Sequence, residues 1–325
     1  MDDPVTQDSR AGLDLLIYIP TYNRPDALKR QLEALAFQRA SWPGRLRVLV
    51  SDNASSLLSD DDLVAYAERF NVEIRRNPSN LGSNANIALG FVFADTDEYL
   101  WILGDDDRLG PNALSFIAQF GLGEQVDAIV FSTKVAEPAV FAHEWKSAWD
   151  GANETGLISN VIYKMSVFAP QARNAFFYHN TSFPHLCVLL ATLQRQGRLR
   201  YRMLPSREVF VESALQAEEP GDYSLAYSGM PQMMPLLPKA QAKRFAWEWV
   251  RQQGRGFLSH RDFYPGLHVS TLAHLRRYGG MKALFWLAVL SVEHALFGRV
   301  RPHLVALARK TLPPEVKRFL RSRKR

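Results

Sequence analysis

The sequence predicts an α/β fold, a mostly parallel sheet flanked by helices, with a helical region at the C-terminal end. Three observations carry this. Strand-like and helix-like segments alternate four times before residue 110; the strand-like runs are largely apolar; and the polar clusters all fall where those runs end. Strict alternation favours parallel strands with helices on both faces, and ligands then bind at the carboxyl ends of the strands.

The first strand is LDLLIYI, residues 13–19, which should stop at Pro20. After the loop TYNRPD, the segment ALKRQLEALAFQ places Leu28, Leu32, Leu35 and Ala36 on one helical face, with Asp26 as a first-turn acid. A second strand, LRVLVSD at 46–52, ends in Ser51, Asp52 and Asn53. A helix around Leu63–Phe70 follows, then a third strand at 72–77, a helix from Asn84 to Ala94 and a fourth strand from Tyr99 to Leu103. Beyond about residue 140 the pattern loosens, and only 185–196 reads as a helix before the Pro- and Met-rich segment 230–240. The expected boundaries therefore fall at 1–140, 141–235 and 236–325, the last a helical, basic tail.

With 47% hydrophobic and 22% charged residues, the 325-residue chain has the balance of a globular protein with a substantial core. The single cysteine, Cys187, excludes an internal disulfide and a cysteine-based zinc site, and suits a reducing compartment. The formal charge of +6 is unevenly spread: residues 299–325 hold ten Lys or Arg against Glu315 alone, a net of +9, which leaves −3 on residues 1–298. A mildly acidic body argues against a nucleic-acid binder, and a basic tail suits an anionic membrane surface. The polar start MDDPVTQDSRAG has no apolar segment of the kind a secretion signal needs. The longest apolar run, Met281–Phe297, contains Lys282, Glu293 and His294 and falls short of the roughly 20 residues of a spanning helix. The expectation is a cytoplasmic protein held peripherally at the inner face of the membrane by an apolar helix and the run KRFLRSRKR. A helix packed on the body with a solvated tail is the alternative.

Chemistry concentrates at the strand ends. Asp105-Asp106-Asp107 follows the fourth strand directly, and three adjacent carboxylates suit a hard divalent cation such as Mg²⁺ or Mn²⁺ that also binds phosphates. The same run also reads as a solvated turn. The other ends carry Pro20-Thr21-Tyr22-Asn23-Arg24-Pro25, Ser51-Asp52-Asn53-Ala54-Ser55 and the loop Asn77–Asn86 with Asn80, Gly82 and Asn86. In this order and at these separations, over about residues 13–115, the four clusters resemble the family 2 glycosyltransferases of the GT-A (Rossmann-like) fold.

The resemblance implies a nucleotide-diphosphate sugar as donor, with 1–140 as the nucleotide-sugar-binding half and 141–235 as the acceptor-binding half, and a divalent metal as cofactor. Pro20, Thr21, Tyr22, Asn23 and Arg24 would line the nucleotide site, Asp52 and Asn53 would meet base or ribose, and Asn80, Gly82 and Asn86 the ribose side, with Asp105 beside them. Asp106 would be the best metal ligand and Asp107 a second one. The family's D-x-D-D motif reads Gly104-Asp105-Asp106-Asp107 here, so its first acid is missing. The family's Glu-Asp pair at the start of an acceptor-side helix is also missing. The comparable stretch is Thr181–Leu186, where His185 is the candidate base, with Asp107 as a further catalytic residue. Glu208, Glu212 and Asp222 are weaker candidates, and a helix-start histidine that merely packs is the ordinary alternative. Gly156–Asn160 resembles the family's segment after the acidic motif.

The implied reaction is an inverting transfer to a saccharide or lipid-linked acceptor in bacterial surface-polysaccharide synthesis of the O-antigen type. Two other classes compete. A nucleotidyltransferase should show a Gly-rich phosphate loop after the first strand, where this chain has Pro20-Thr21-Tyr22-Asn23. A membrane-associated carbohydrate-binding scaffold without catalysis is suggested by the missing Glu-Asp pair.

Overall fold

The computed structural model describes residues 14–96, 99–121, 126–144, 155–212, 229–254 and 265–297. The N-terminal dozen residues, Trp145, Trp149, Asp222 and the basic segment 299–325 lie outside them. The chain divides into two units, Met1–Gln241 and Ala242–Arg325.

In the first unit the alternation predicted from the sequence appears as β1 (Leu15–Thr21), α1 (Pro25–Gln38), β2 (Leu46–Asp52), α2 (Asp60–Phe70), β3 (Glu73–Arg76), α3 (Ser83–Phe93) and β4 (Tyr99–Ile102). The short β5 (Arg108–Leu109), α4 (Ala113–Phe120), β6 (Ala128–Ser132), β7 (Ala139–Glu144) and β8 (Val161–Lys164) follow. After them come α5 (Met165–Phe168), α6 (Asn174–Phe177), α7 (Pro184–Gln196), β9 (Arg198–Pro205) and β10 (Phe210–Glu212). Eight strands form one sheet in the order β3-β2-β1-β4-β8-β6-β9-β7, and β5 pairs with β10 beside it. Four strand pairs are parallel, β1 with β2 and β4, β2 with β3, and β6 with β9; β8 runs antiparallel between β4 and β6.

Strand β1 shows why the sheet needs helices on both faces. Its side chains alternate, so Leu15, Ile17 and Ile19 join α1 and α4 in one core, while Leu16 and Tyr18 join α3 and α7 in the other. All five are fully buried. The strand continues through Pro20, where the sequence suggested a stop. Its pairing with β4 ends at Tyr18 opposite Ile102, so no neighbour on that side requires the N–H that proline lacks, and β2 continues to pair as far as Thr21 opposite Asp52.

Local signals set the helix ends. Pro25 opens α1, a reciprocal Ser59–Asp62 capping box opens α2, and Gly197 in the left-handed region closes α7. The segment after residue 140 completes the same sheet: β8 sits against β4 at Trp101 opposite Ile162, and β9 against β6.

Helix α8 (Lys239–Gln253) starts at the end of the first unit, and α8 and α9 (Pro265–Phe297) account for all the described residues of the second unit except Gly254. Helix α9 is broken at Gly280, whose φ is 74° and ψ −179°. Among the described residues no helix is long and apolar enough to cross a membrane.

Helix α3 packs against β1 through Gly90. A Cβ there would lie 2.9 Å from Tyr18 Cδ1 and 3.4 Å from Ile102 Cγ1, and the Tyr18 ring is tethered because its hydroxyl donates to Asn86 O at 2.7 Å. Gly90→Ala gains up to about 1 kcal/mol of helix propensity but overpacks a tethered contact, which typically costs ~1–3 kcal/mol. The expected result is a net loss of stability, read as a lower urea midpoint with unchanged slope.

Candidate active site

Strands β1, β2 and β4 end side by side; the chain passes from β1 to β2 and β3 on one side and then crosses to β4 on the other. The loops therefore splay around a crevice, the place where open α/β sheets bind ligands. A cavity of about 340 Å³ occupies it. Pro20 and Thr21 line it from the end of β1, Tyr22 and Arg24 from the loop that follows, Asn53 from just after β2, and Asn80, Gly82, Ser83, Asn86 and Ile87 from the loop before α3 and its first turns. Gly104, Asp105 and Asp106 come from the loop after β4, and Ile158 from the segment before β8. Ten of the residues expected from the sequence are thus brought together.

The acidic loop is held from two sides. Thr21 Oγ1 donates to Asp105 Oδ2 at 2.7 Å, and Arg24 Nη1 lies 3.1 Å from Asp105 Oδ1 and 2.8 Å from Asp106 Oδ2. On the other side Ser159 Oγ donates to Asp107 Oδ2 and accepts from Gly104 N at 2.8 Å. A Cβ at Gly104 would come within 2.8 Å of Asp107 Oδ2 and 3.0 Å of Asp106 Oδ1. The glycine that replaces the family's first acid therefore leaves room for the two carboxylates that follow it.

Burial pushes the Asp105 carboxyl up to about 6 against the opposing pull of Thr21 and Arg24. Burial also pushes Asp107 up to about 6 against the Ser159 hydrogen bond.

A net of asparagines shapes the opposite wall. Asn53 donates to Asn80 Oδ1 at 2.8 Å and accepts from Asn77 Nδ2 at 3.1 Å and Leu81 N at 3.0 Å. Asn86 donates to Ser51 O at 2.9 Å and accepts from Ser51 Oγ at 2.6 Å. These bonds fix Gly82, in the left-handed region at φ 81°, at the head of α3, which has no side-chain cap. The first-turn N–H groups of α3 lack intrahelical partners, and with the helix dipole they favour an anion in the cavity.

Four expected residues lie elsewhere. Asp52 is fully buried, accepts from Ser55 N at 3.2 Å and pairs with Arg76 Nε at 3.3 Å, so it braces the β2 loop instead of facing the cavity. Asn23 does the same from β1: its Oδ1 accepts from Ser56 N at 2.7 Å and Leu57 N at 3.2 Å. Asp107 turns to Ser159 and is not on the cavity wall. His185 is 1% exposed inside α7, with Nε2 3.0 Å from Gly156 O, and burial drives its pKa down to about 4. It is a buried neutral histidine away from the cavity wall. Of the weaker candidates, Glu208 pairs with Arg207 on the surface and Glu212 belongs to β10.

Sequence reasoning gave no individual role to Ser159, which ties the acidic loop to the segment before β8; its signal was the Gly156–Asn160 stretch. Among the described residues no group of three or more His, Cys, Asp or Glu side chains is arranged around one ion. The donor chemistry nevertheless fits a divalent cation, since Mg²⁺ commonly takes one or two carboxylates and fills its shell with phosphate oxygens and water. Asp106, with its side chain 36% exposed on the cavity wall and paired with Arg24 at 2.8 Å, is the most accessible carboxylate of the three, and Asp105 is the second on that wall.

The buried groups oppose one another in their effect on stability. Between about pH 4 and 6 folded Asp105 and Asp107 keep protons that the unfolded chain has released, so both make stability fall as pH rises. Folded His185 stays neutral down to about pH 4, so its contribution is lost as pH falls from about 6.5. Asp107→Asn removes one of the falling contributions. Its stability relative to the parent chain should rise between roughly pH 4 and pH 7 by on the order of 1–3 kcal/mol, measured by calorimetric melting; a pH-independent difference rejects the assignment.

Comparison with known proteins agrees with this geometry. The model of the family described as glycosyl transferase family 2 matches residues 16–185, more than half of the chain. Abequosyltransferase RfbV of Salmonella typhimurium (strain LT2) is 31% identical over 118 residues, 36% of this chain. That match spans 34% of the relative's own length. Among solved structures, residues 1–349 of S. aureus TarS superpose with a TM-score of 0.54 at 12% identity, covering 86% of this chain and 88% of that one. The same TarS fragment in complex with UDP-GlcNAc gives 0.52 at 13% identity, covering 86% and 89%. At such identities the TarS likeness shows the fold alone. The cavity at the β1–β4 carboxyl ends lies within the matched residues, and the chain belongs to glycosyl transferase family 2.

Proposed function

We propose that this chain transfers a sugar from a nucleoside-diphosphate donor to a saccharide or lipid-linked acceptor in bacterial surface-polysaccharide synthesis of the O-antigen type, with inversion and with a divalent metal. The observation that carries the reading is the convergence of all four strand-end loops on one cavity with Asp106 on its wall. Family membership supports the reaction class, and a relative named as an abequosyltransferase supports the surface-polysaccharide setting.

The residues divide the work by chemistry. Tyr22, 43% exposed at the cavity rim, offers a ring face for a nucleobase. Asn53 and Asn80 present amide groups to the ribose, held by the net that also fixes Gly82. The first turn of α3 and the Arg24 guanidinium receive the diphosphate. Asp106, with Asp105 behind it, would hold Mg²⁺ or Mn²⁺. Bound there, the ion would supply Lewis-acid stabilisation of the departing nucleoside diphosphate. To admit it, Arg24 must move from Asp106 toward the phosphates, which exchanges one ion pair for another and leaves Asp105 held by Thr21. The proton of the acceptor hydroxyl is not assigned to His185, because that ring is buried in α7. The net +9 of residues 299–325 supports peripheral placement at the inner face of the cytoplasmic membrane.

Melting the protein with UDP, GDP, CDP and dTDP, each with and without Mn²⁺, tests the donor site. One nucleotide should raise the transition, and Mn²⁺ should enlarge the shift, because ligands of the folded state stabilise it. Asp106→Asn should weaken the Mn²⁺-dependent part about tenfold or more in apparent affinity while leaving the ligand-free transition within a few degrees of the parent. If no nucleotide moves the transition under either condition, the donor-site reading fails.

A further inference from the structure

The second half of α9 is apolar on two sides. One side packs within the second unit: Ala283, Leu287 and Ser291 are buried, and Ser291 Oγ donates to Gly254 O at 3.1 Å. The other side carries Met281, Phe285, Trp286, Val289 and Val292, exposed by 68, 61, 43, 38 and 54%. Residues 281, 285, 289 and 292 follow the spacing of a single helical face, and Trp286 stands beside Phe285 with ring centroids 6.0 Å apart. Five large apolar side chains in one exposed stripe form the contiguous kind of patch that marks an interaction surface.

Charge selects the occupant. Arg276, Arg277 and Lys282 are exposed on the same helix, and the sequence beyond it, residues 299–325, carries a net of +9. A second copy would bring the same cationic flank against this one, whereas an anionic bilayer offers hydrocarbon to the stripe and headgroups to the bases. Helix α9 does not meet the length and hydropathy of a spanning helix, so the fitting geometry lies in the plane of the interface. We infer that the face formed by Met281, Phe285, Trp286, Val289 and Val292 inserts into the interfacial layer of an anionic membrane. This rests on the peripheral placement proposed above and assigns the surface that makes it.

The test is flotation of the full chain with vesicles of phosphatidylcholine plus phosphatidylglycerol, and with phosphatidylcholine alone. The parent chain should float with the first and much less with the second. The double variant Phe285→Ser/Val289→Ser, judged folded by circular dichroism and an unchanged nucleotide melting shift, should lose about tenfold or more in partitioning. Trp fluorescence should be quenched by lipids brominated high on the acyl chain, and Trp286→Phe should remove that quenching. A tail variant with Lys317, Arg318, Arg321, Arg323, Lys324 and Arg325 changed to Gln separates the two claims. If it stops floating while the Phe285/Val289 variant floats like the parent, the face is overturned and the peripheral reading stands. If the parent floats with neither vesicle, both fail. If the parent sediments as a dimer that the Phe285/Val289 variant dissolves, and does not float, the occupant is a second copy and the inference is overturned.

Discussion

Everything at the candidate donor site depends on keeping one buried carboxylate, Asp105, in place at the seam between β1 and β4. An isolated carboxylate in that position would favour its neutral form, and burial does raise its pKa. Thr21 at the end of β1 and Arg24 at the entry to α1 supply the hydrogen bonds that make the position tolerable. Because β1 pairs with β4 from Leu15 opposite Tyr99 to Tyr18 opposite Ile102, the register of two buried strands brings donors and acceptor together. Asp106 is thereby presented to the cavity, and Asp107 is turned aside to Ser159. Three adjacent acids thus have three environments: buried and held by Thr21 and Arg24, partly exposed on the cavity wall and paired with Arg24, and tied back to Ser159.

The wall opposite the acids obeys the same logic with neutral groups. Tyr18 belongs to the core beneath the sheet, yet its hydroxyl reaches Asn86 O, and Asn86 in turn holds Ser51. Core packing and cavity shape are therefore linked through one residue of β1. Helix α3 can approach closely enough for this because Gly90 has no side chain.

Much of the fold was legible because its cause is local. The buried strands are apolar runs, and Leu46–Asp52 begins and ends where the pattern does. Asp26 falls in the first turn of α1, where the sequence places it, whereas the Ser59–Asp62 box and Gly197 bound α2 and α7 through equally local contacts that were not read from the sequence. What else was hidden is non-local. The insertion of β8 between β4 and β6 depends on pairings across some 60 residues, such as Trp101 with Ile162, which no periodicity reveals. The site divides in the same way. Thr21, Asn80 and Asp106 stand at strand ends and reach the cavity. Asp52 is also a strand-end acid, but Arg76 from the neighbouring strand draws it inward. His185 opens a helix as a base might, but α7 is buried on nearly every side, so the ring is enclosed. Sequence position identifies the loop, and packing decides which way each side chain turns.

The central claim is that the exposed carboxylate of Asp106, with Asp105 behind it, marks the diphosphate end of a nucleotide-sugar site. The most direct measurement is a crystal structure grown with a nucleoside diphosphate and Mn²⁺, with anomalous differences collected for manganese. The arrangement predicts one peak within bonding distance of the Asp106 carboxylate, the diphosphate between it and the first turn of α3, and Arg24 drawn off Asp106 toward the phosphates. A peak at Asp107 instead, or a nucleotide bound with Arg24 still closed on Asp106 and no manganese beside it, would contradict it.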